Sequence, residues 1–219
     1  MSSEALIFDD TTSVQDLAKL ISRAKSIEDD SAQLMARSHA LAVYVPVLVP
    51  ASLGSGEFTI LGMRVHRLAE PATLTACYSL ASIQDRLARM GDSSRQFALP
   101  PVQAHPQWAG IQVPVSGWES VAQIEDRVLA EAARSGINAV ADALPENPGK
   151  PVISQVRQRI WSSIQPDTDP KLPLGASFAM ETLGFLTADG HSTVYRSGSW
   201  LRLTSSRGHV LVRRDAALI

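Results

Sequence analysis

The stretch FTILGMRVHRLAEPATLTACYSLASI, residues 58–83, decides how the first half of this chain is read. It holds two β-rich runs, FTILGMRVHRLA (58–69) and TLTACYSLASI (73–83), parted at Glu70, Pro71 and Ala72. A proline-bearing break between two such runs predicts an antiparallel hairpin. With Pro71 and Ala72 as the loop, Val65 faces Tyr78 and Met63 faces Leu80, which makes one apolar face. The other face then sets His66 opposite Cys77 and Arg64 opposite Ser79. A slip of one residue would mix the two faces, so this register is the coherent one. The second run leads into a helix, ASIQDRLARM (81–90).

Before this stretch, QLMARSHALAVYVPVLV (33–49) reads as a further strand, joined to it by ASLGSGE. Earlier still, TTSVQDLAKLISRAKSI (11–27) carries Val14, Leu17, Leu20, Ile21 and Ala24 at helical spacing, with Ser13 placed to cap its start. Residues 1–91 are therefore expected to form an N-terminal helix plus a small antiparallel sheet. Residues 92–117 are rich in Pro, Gly, Ser and Gln and read as a linker.

Residues 118–219 read as a helical block closed by strands. WESVAQIEDRVLAEAARSG (118–136) places Val121, Ile124, Val128 and Ala132 on one helical face, stopped at Ser135-Gly136. INAVADAL (137–144), PVISQVRQRIWSSI (151–164) and LGASFAMETLGFL (174–186) follow as helices. Then VYRSGSWLRLTSSRGHVLVRR (194–214) divides into three short strands with turns at Ser197-Gly198 and SSRG. Leu201, Leu203 and Leu211 are expected inward, and the arginines outward. The fold class is α+β. Helices followed by a β-hairpin resemble a winged helix over residues 118–214, so the C-terminal part is winged-helix-like at most. Its would-be recognition helix, 174–187, has no Lys, Arg, Asn or Gln, the side chains that read base edges.

Composition narrows the function classes. The chain has 219 residues, 45% of them hydrophobic and 19% charged, which is globular and rather low in charge. One cysteine, Cys77, excludes an internal disulfide and suits a reducing compartment. MSSEALIFDD lacks the pattern of a signal peptide. The longest apolar run, residues 40–51, is broken by two prolines and falls short of the about 20 residues of a membrane helix. The expected location is cytoplasmic, with no membrane partner. Residues 1–149 hold 11 basic and 17 acidic residues (−6), and residues 150–219 hold 9 and 5 (+4), which sum to the net −2.

Three sets of candidate residues emerge. His66 and Cys77 form the one thiol–imidazole pair that could act as a nucleophile, but no oxyanion-forming glycine lies beside Cys77. Arg196, Arg202, Arg207, Arg213 and Arg214 could contact nucleic acid or another anion. Trp108 and Trp200, on the linker and the small sheet, could anchor an interface. The five histidines lack zinc-site spacing and no phosphate-binding glycine motif opens a helix, so neither metal nor cofactor is expected.

The segments QWAGIQVPVSGW (107–118) and LGFL (183–186), with the arginine-bearing strand pair, resemble an uncharacterised family of actinobacterial proteins. That resemblance implies no activity, cofactor or partner. The reading that follows is a non-catalytic cytoplasmic binding or interaction protein that self-associates, for instance as a homodimer. Nucleic-acid binding through the arginine meander is the first alternative, and an enzyme centred on His66 and Cys77 the second.

Overall fold

The computed structural model describes residues 5–27, 30–50, 58–91, 93–166 and 168–214. The chain forms two compact units, Met1–Pro46 with Met63–Gln112, and Val47–Gly62 with Val113–Ile219.

In the first unit, β1 (Ala5–Ile7) pairs antiparallel with β4 (Gln96–Ala98). Between them in sequence comes α1 (Thr11–Ile27), with the bounds that its apolar spacing predicts. Leu17, Leu20, Ile21, Ala24 and Ile27 form its buried stripe. The cap is Asp10 rather than Ser13: the Ser13 amide donates to the Asp10 carboxylate at 2.6 Å. That bond holds the Asp10 pKa below its ordinary value. Two long strands follow, β2 (Ser31–Leu48) and β3 (Phe58–Ser79). Along β2 the even residues Ala32, Leu34 and Ala36 are buried before Ser38, and the odd residues Leu41, Val43 and Val45 after it. Such a change of phase needs an extra residue in the strand, and Ser38 supplies it with a left-handed φ of 52°.

The predicted hairpin at Pro71 does not form. β3 runs through Glu70-Pro71-Ala72 as one strand of 22 residues. The reason is visible in its burial: His66, Leu68, Ala72, Leu74, Ala76 and Tyr78 are all buried, two residues apart or a multiple of two. The apolar alternation keeps its phase across the proline, and a turn would have destroyed it. Proline's own φ is compatible with extended backbone, so only one donor is lost. At the end of β3, Ser79 caps α2 (Leu80–Ala88) by accepting from the Ser82 amide at 3.1 Å. α1 and α2 pack on each other.

The second unit takes in the end of β2 and the start of β3 and continues with β5 (Glu119–Glu125), where the sequence predicted the start of a helix. Ala122 and Ile124 take one face of this strand, with their partners Val194 and Ser192, and Gln123 takes the other with Thr193. The helix α3 (Asp126–Ala143) then runs unbroken through Gly136, where a stop was expected. α4 (Lys150–Trp161) and α5 (Leu174–Thr182) follow. α5 is buried over Gly175–Met180 and packs against α3 and β8. Over that stretch it is mostly apolar because it is enclosed, with Ser177 donating to the Gln165 side chain at 2.7 Å.

The C-terminal meander has three strands, as predicted: β6 (His191–Ser197), β7 (Trp200–Thr204) and β8 (His209–Arg214). The first turn is Gly198-Ser199, not Ser197-Gly198, because Ser197 already pairs with Trp200. Gly198 takes φ +57°, which L side chains rarely adopt. The winged-helix expectation is overturned here. The meander is no isolated wing; it is the middle of a six-stranded sheet in the order β2-β3-β8-β7-β6-β5.

Candidate functional site

Register decides where the meander's arginines point, because directly paired residues share a face. Arg202 pairs with Tyr195 and with Leu211, so these three lie on one face. Leu201 and Leu203 lie on the other, with Val212 and Val210. Leu211 therefore does not join the other two leucines, and it is nonetheless fully buried. The sheet is covered on both sides. The five arginines share no single face: Arg202 and Arg213 lie on one, Arg196 on the opposite one, and Arg207 in the β7–β8 turn. Arg214 stacks on Phe58 at 5.6 Å, and Arg213 on Trp200 at 5.4 Å.

Arg202 is the most constrained of them. Its guanidinium lies 4.5 Å from the Trp118 ring and 4.7 Å from the Tyr195 ring. Trp118 is itself tied down, its indole N–H donating to the Pro114 carbonyl at 3.0 Å. Burial lowers the Arg202 pKa. His209, bonded to Thr204 Oγ1 at 3.0 Å, is pushed down to about 4 by burial first and the Arg202 charge second. This cluster is a packed cation–aromatic stack. Trp108 and Trp200 are each only 4% exposed, so both tryptophans are spent on packing.

His66 and Cys77 are not brought together. They are eleven positions apart on one strand, about 35 Å at a strand's rise per residue. His66 is buried edge-on to Phe8 with ring centroids 5.9 Å apart, and its Nε2 has no hydrogen-bond partner among the described residues. Burial, then the nearby Arg64 charge, push its pKa down to about 4 against the pull of Asp16. Burial and the Asp30 charge push the Cys77 thiol up to about 11. At neutral pH the thiol is protonated, the wrong form for a nucleophile. His39, on β2, bonds the Leu68 carbonyl at 3.1 Å. Among the described residues no group of three or more His, Cys, Asp or Glu could hold a metal ion.

Further exposed surfaces lie on helices and on a strand edge. β5 ends the sheet order, so its outer side is not paired within that sheet. The register shifts between Ser120 and Ala122, and the bulged Val121 is 41% exposed. On α1 the exposed stripe is Thr12, Gln15, Lys19, Ser22, Arg23 and Ser26, which contains two cations and no carboxylate. The helix's own Asp16 is half-buried and paired with Arg64. Lys25 bonds the Gln84 amide of α2 at 3.3 Å. α2 adds Arg86, and its C-cap adds Arg89, bridged to Asp85 at 3.0 Å. These cations are scattered in the sequence and come together only at helical spacing, which is the signal that reveals the stripe.

α4 is attached differently from the other helices. Trp161 is its one buried residue. That ring stacks on Phe178 of α5, centroids 4.2 Å apart and 19° from parallel. Gly136 of α3 explains the fit, since a Cβ there would come within 2.3 Å of the Trp161 ring. Beside α4 opens a groove of about 820 Å³, bordered by Val49, Pro151, Val156, Gln155, Gln158 and Arg159.

With this geometry in hand, similar proteins can be set beside it. Residues 1–110 match the family model described as Domain of unknown function (DUF8010). Residues 113–217 match a second, Domain of unknown function (DUF8185). No curated protein matches the sequence. Among solved structures, a putative DNA polymerase III beta subunit from Eubacterium rectale matches at TM-score 0.58 and 9% identity, over 99% of this chain and 66% of that one. A DnaN sliding clamp from Bartonella birtlesii, bound to griselimycin, matches at TM-score 0.55 and 10% identity, over 98% and 66%. The DNA polymerase III beta subunit of Thermotoga maritima matches at 0.54 and 11%, over 98% and 65%. The fold is thus that of the DNA sliding clamps, and this chain spans about two thirds of their length.

Proposed function

The chain belongs to the family described as Domain of unknown function (DUF8010), and from its fold we propose that it works as a clamp-type scaffold: a non-catalytic protein that self-associates and holds DNA by its phosphates. One observation carries this reading, the likeness of nearly the whole chain to proteins named as sliding clamps. Two features of this chain support it. The exposed stripe of α1 offers Lys19 and Arg23 among small polar side chains, and none of the exposed described residues of that helix is a carboxylate. Such a stripe positions a protein on a duplex without reading its sequence. A net charge of −2 is compatible with one cationic helical face. The unpaired side of β5 supports the self-association, since an open edge strand is a template for a second chain.

Arg196 and Arg207 are exposed and can add phosphate contacts, but they lie apart from one another. Arg202 is held in its aromatic stack and is assigned no contact. The His66–Cys77 enzyme reading finds no support in a protonated thiol far from its histidine.

The experiment is fluorescence anisotropy of a labelled duplex of arbitrary sequence. Wild type is expected to bind unrelated duplexes equally, and to weaken about 40-fold between about 50 and about 200 mM salt if three phosphates are contacted. Lys19→Glu with Arg23→Glu is expected to lower the salt slope by about 2. Binding that ignores salt, or that survives the double reversal unchanged, refutes the reading.

A further inference from the structure

α4 is held firmly at one end only. Surface helices are fixed by burying an apolar stripe, and isolated helices of twelve residues are marginal in water. α4 buries only Trp161, in its last turn, whereas α5 buries every residue from Gly175 to Met180. Val152 is 40% exposed, and Ile153, Val156 and Ile160 are half-buried. The groove of about 820 Å³ beside the helix is lined largely by its polar side chains, Ser154, Gln155, Gln158 and Arg159, so this side is undercut rather than packed. The two flanks differ as well. Before α4, Pro145, Glu146, Asn147 and Gly149 are exposed, and the helix starts at Gly149 without a side-chain cap. After it, the chain is tied to the start of α5. The Leu174 amide donates to the Ser163 carbonyl at 2.8 Å, and the Gln165 amide to the Leu172 carbonyl at 2.7 Å. Trp161 itself fills the slot at Gly136 and stacks on Phe178.

We propose that α4 is a lid that opens from its N-terminal end, pivoting on Trp161 while α3 and α5 stay folded. Local stability follows the apolar contacts that a segment makes, and here they are concentrated at the last turn. The helix therefore lifts from the end that buries least and stays attached at the end that buries most. Opening bares the surface of α3 and α5 on which α4 packs. That surface is hidden in the closed form, so access to it is set by how often the lid opens. The inference does not depend on the clamp reading, because it uses neither the α1 stripe nor the β5 edge, and its test reads neither DNA binding nor assembly.

The test is native-state amide hydrogen exchange of the full chain, resolved by residue with NMR. Relative to unstructured peptide, the amides of Ser154, Gln155 and Val156 are expected to exchange at least about tenfold faster than those of Ile160 and Trp161, and faster than those of α5. Low urea is expected to leave exchange in α4 nearly unchanged and to speed it in α5, because local opening exposes little surface. Gly149→Asp supplies the missing cap. Gly149 has φ −70°, and a Cβ there meets Pro151 Cδ at 3.7 Å, an ordinary contact. This variant is expected to slow exchange at Ser154–Val156 by about three- to fivefold. Gln155→Gly, at an exposed position, is expected to speed it by about two- to threefold. Neither variant is expected to change exchange in α3 or α5. Three results overturn the proposal. The first is protection at Ser154–Val156 equal to that of α5. The second is a reversed gradient, with Ile160 and Trp161 exchanging fastest. The third is a pair of variants that shift α3 and α5 together with α4, which would mean that the helix opens only when its whole unit unfolds.

Discussion

Gly136→Ala sets local propensity against packing, and the two predict opposite signs. Gly136 lies inside α3, where replacing glycine by alanine ordinarily stabilises by about 1 kcal/mol. Here a Cβ would lie 2.3 Å from Trp161 Cζ3, 3.0 Å from Cη2 and 3.3 Å from Cε3. The ring cannot simply retreat. It is 2% exposed and stacked on Phe178, and across α5 a Cβ on Gly175 would lie 3.1 Å from the Trp161 Cβ. Overpacking a filled site costs about 1–3 kcal/mol. An overlap this deep belongs at the upper end, since removing the ring altogether would cost about 3–5 kcal/mol. Subtracting the propensity gain leaves a loss of about 2 kcal/mol, or about 4–8 °C in Tm for a chain of this size. Thermal unfolding followed by far-UV circular dichroism and tryptophan fluorescence measures it. Ser135→Ala, one residue earlier and exposed, is the control and should be neutral or slightly stabilising. A Gly136→Ala variant as stable as wild type would refute the packing account of α4.

Other consequences follow from buried polar groups. Asp126, 1% exposed, accepts from Ser192 Oγ at 2.7 Å and from the Thr187 amide and hydroxyl at 2.8 and 3.1 Å. Asp126→Ala strands all three donors and should cost about 3 kcal/mol, seen as a lower urea midpoint with an unchanged slope. Cys77, its thiol pushed up to about 11, should resist iodoacetamide at neutral pH in the native protein and react once unfolded; labelling at the rate of a free thiol would contradict its burial. His66 and His209, each near 4 when folded against about 6.5 unfolded, bind more protons in the unfolded state. Stability should therefore be fully present above pH of about 6.5 and fall as pH drops towards 4, by at most about 1.4 kcal/mol per pH unit for each histidine. The double variant His66→Gln with His209→Gln should flatten that slope in urea titrations at several pH values.

How much of this could be read beforehand depended on whether the signal was local. α1 was legible because Leu17, Leu20, Ile21 and Ala24 need only their own helix to explain them. The strands of the meander were legible because Gly198 and the SSRG segment mark their turns. β3 was misread because Pro71 was weighed as a turn signal, when the alternation Leu68, Ala72, Leu74, Ala76 and Tyr78 already crossed it in one phase. Gly136 was misread for the same reason. A glycine near a helix end looks like a stop, and only Trp161, twenty-five positions later, reveals it as a slot. β5 was taken for helix because a seven-residue edge strand has little periodicity to show, and its place is set by pairing with β6. The sites divided likewise. His66 and Cys77 depended on a hairpin that does not exist, and the arginines clustered in sequence are dispersed by register. The α1 stripe and the α4 groove are surfaces, defined by what the rest of the chain leaves uncovered.

The claim that this chain is a self-assembling scaffold meets its most direct test in sedimentation velocity at several loading concentrations. Wild type is expected to sediment as a fixed multiple of the 23.6 kDa chain, independent of concentration at micromolar loading. Val121→Glu, a charge placed on the open edge strand, is expected to return it to the single chain. A wild-type protein that sediments at 23.6 kDa at every concentration would contradict the account.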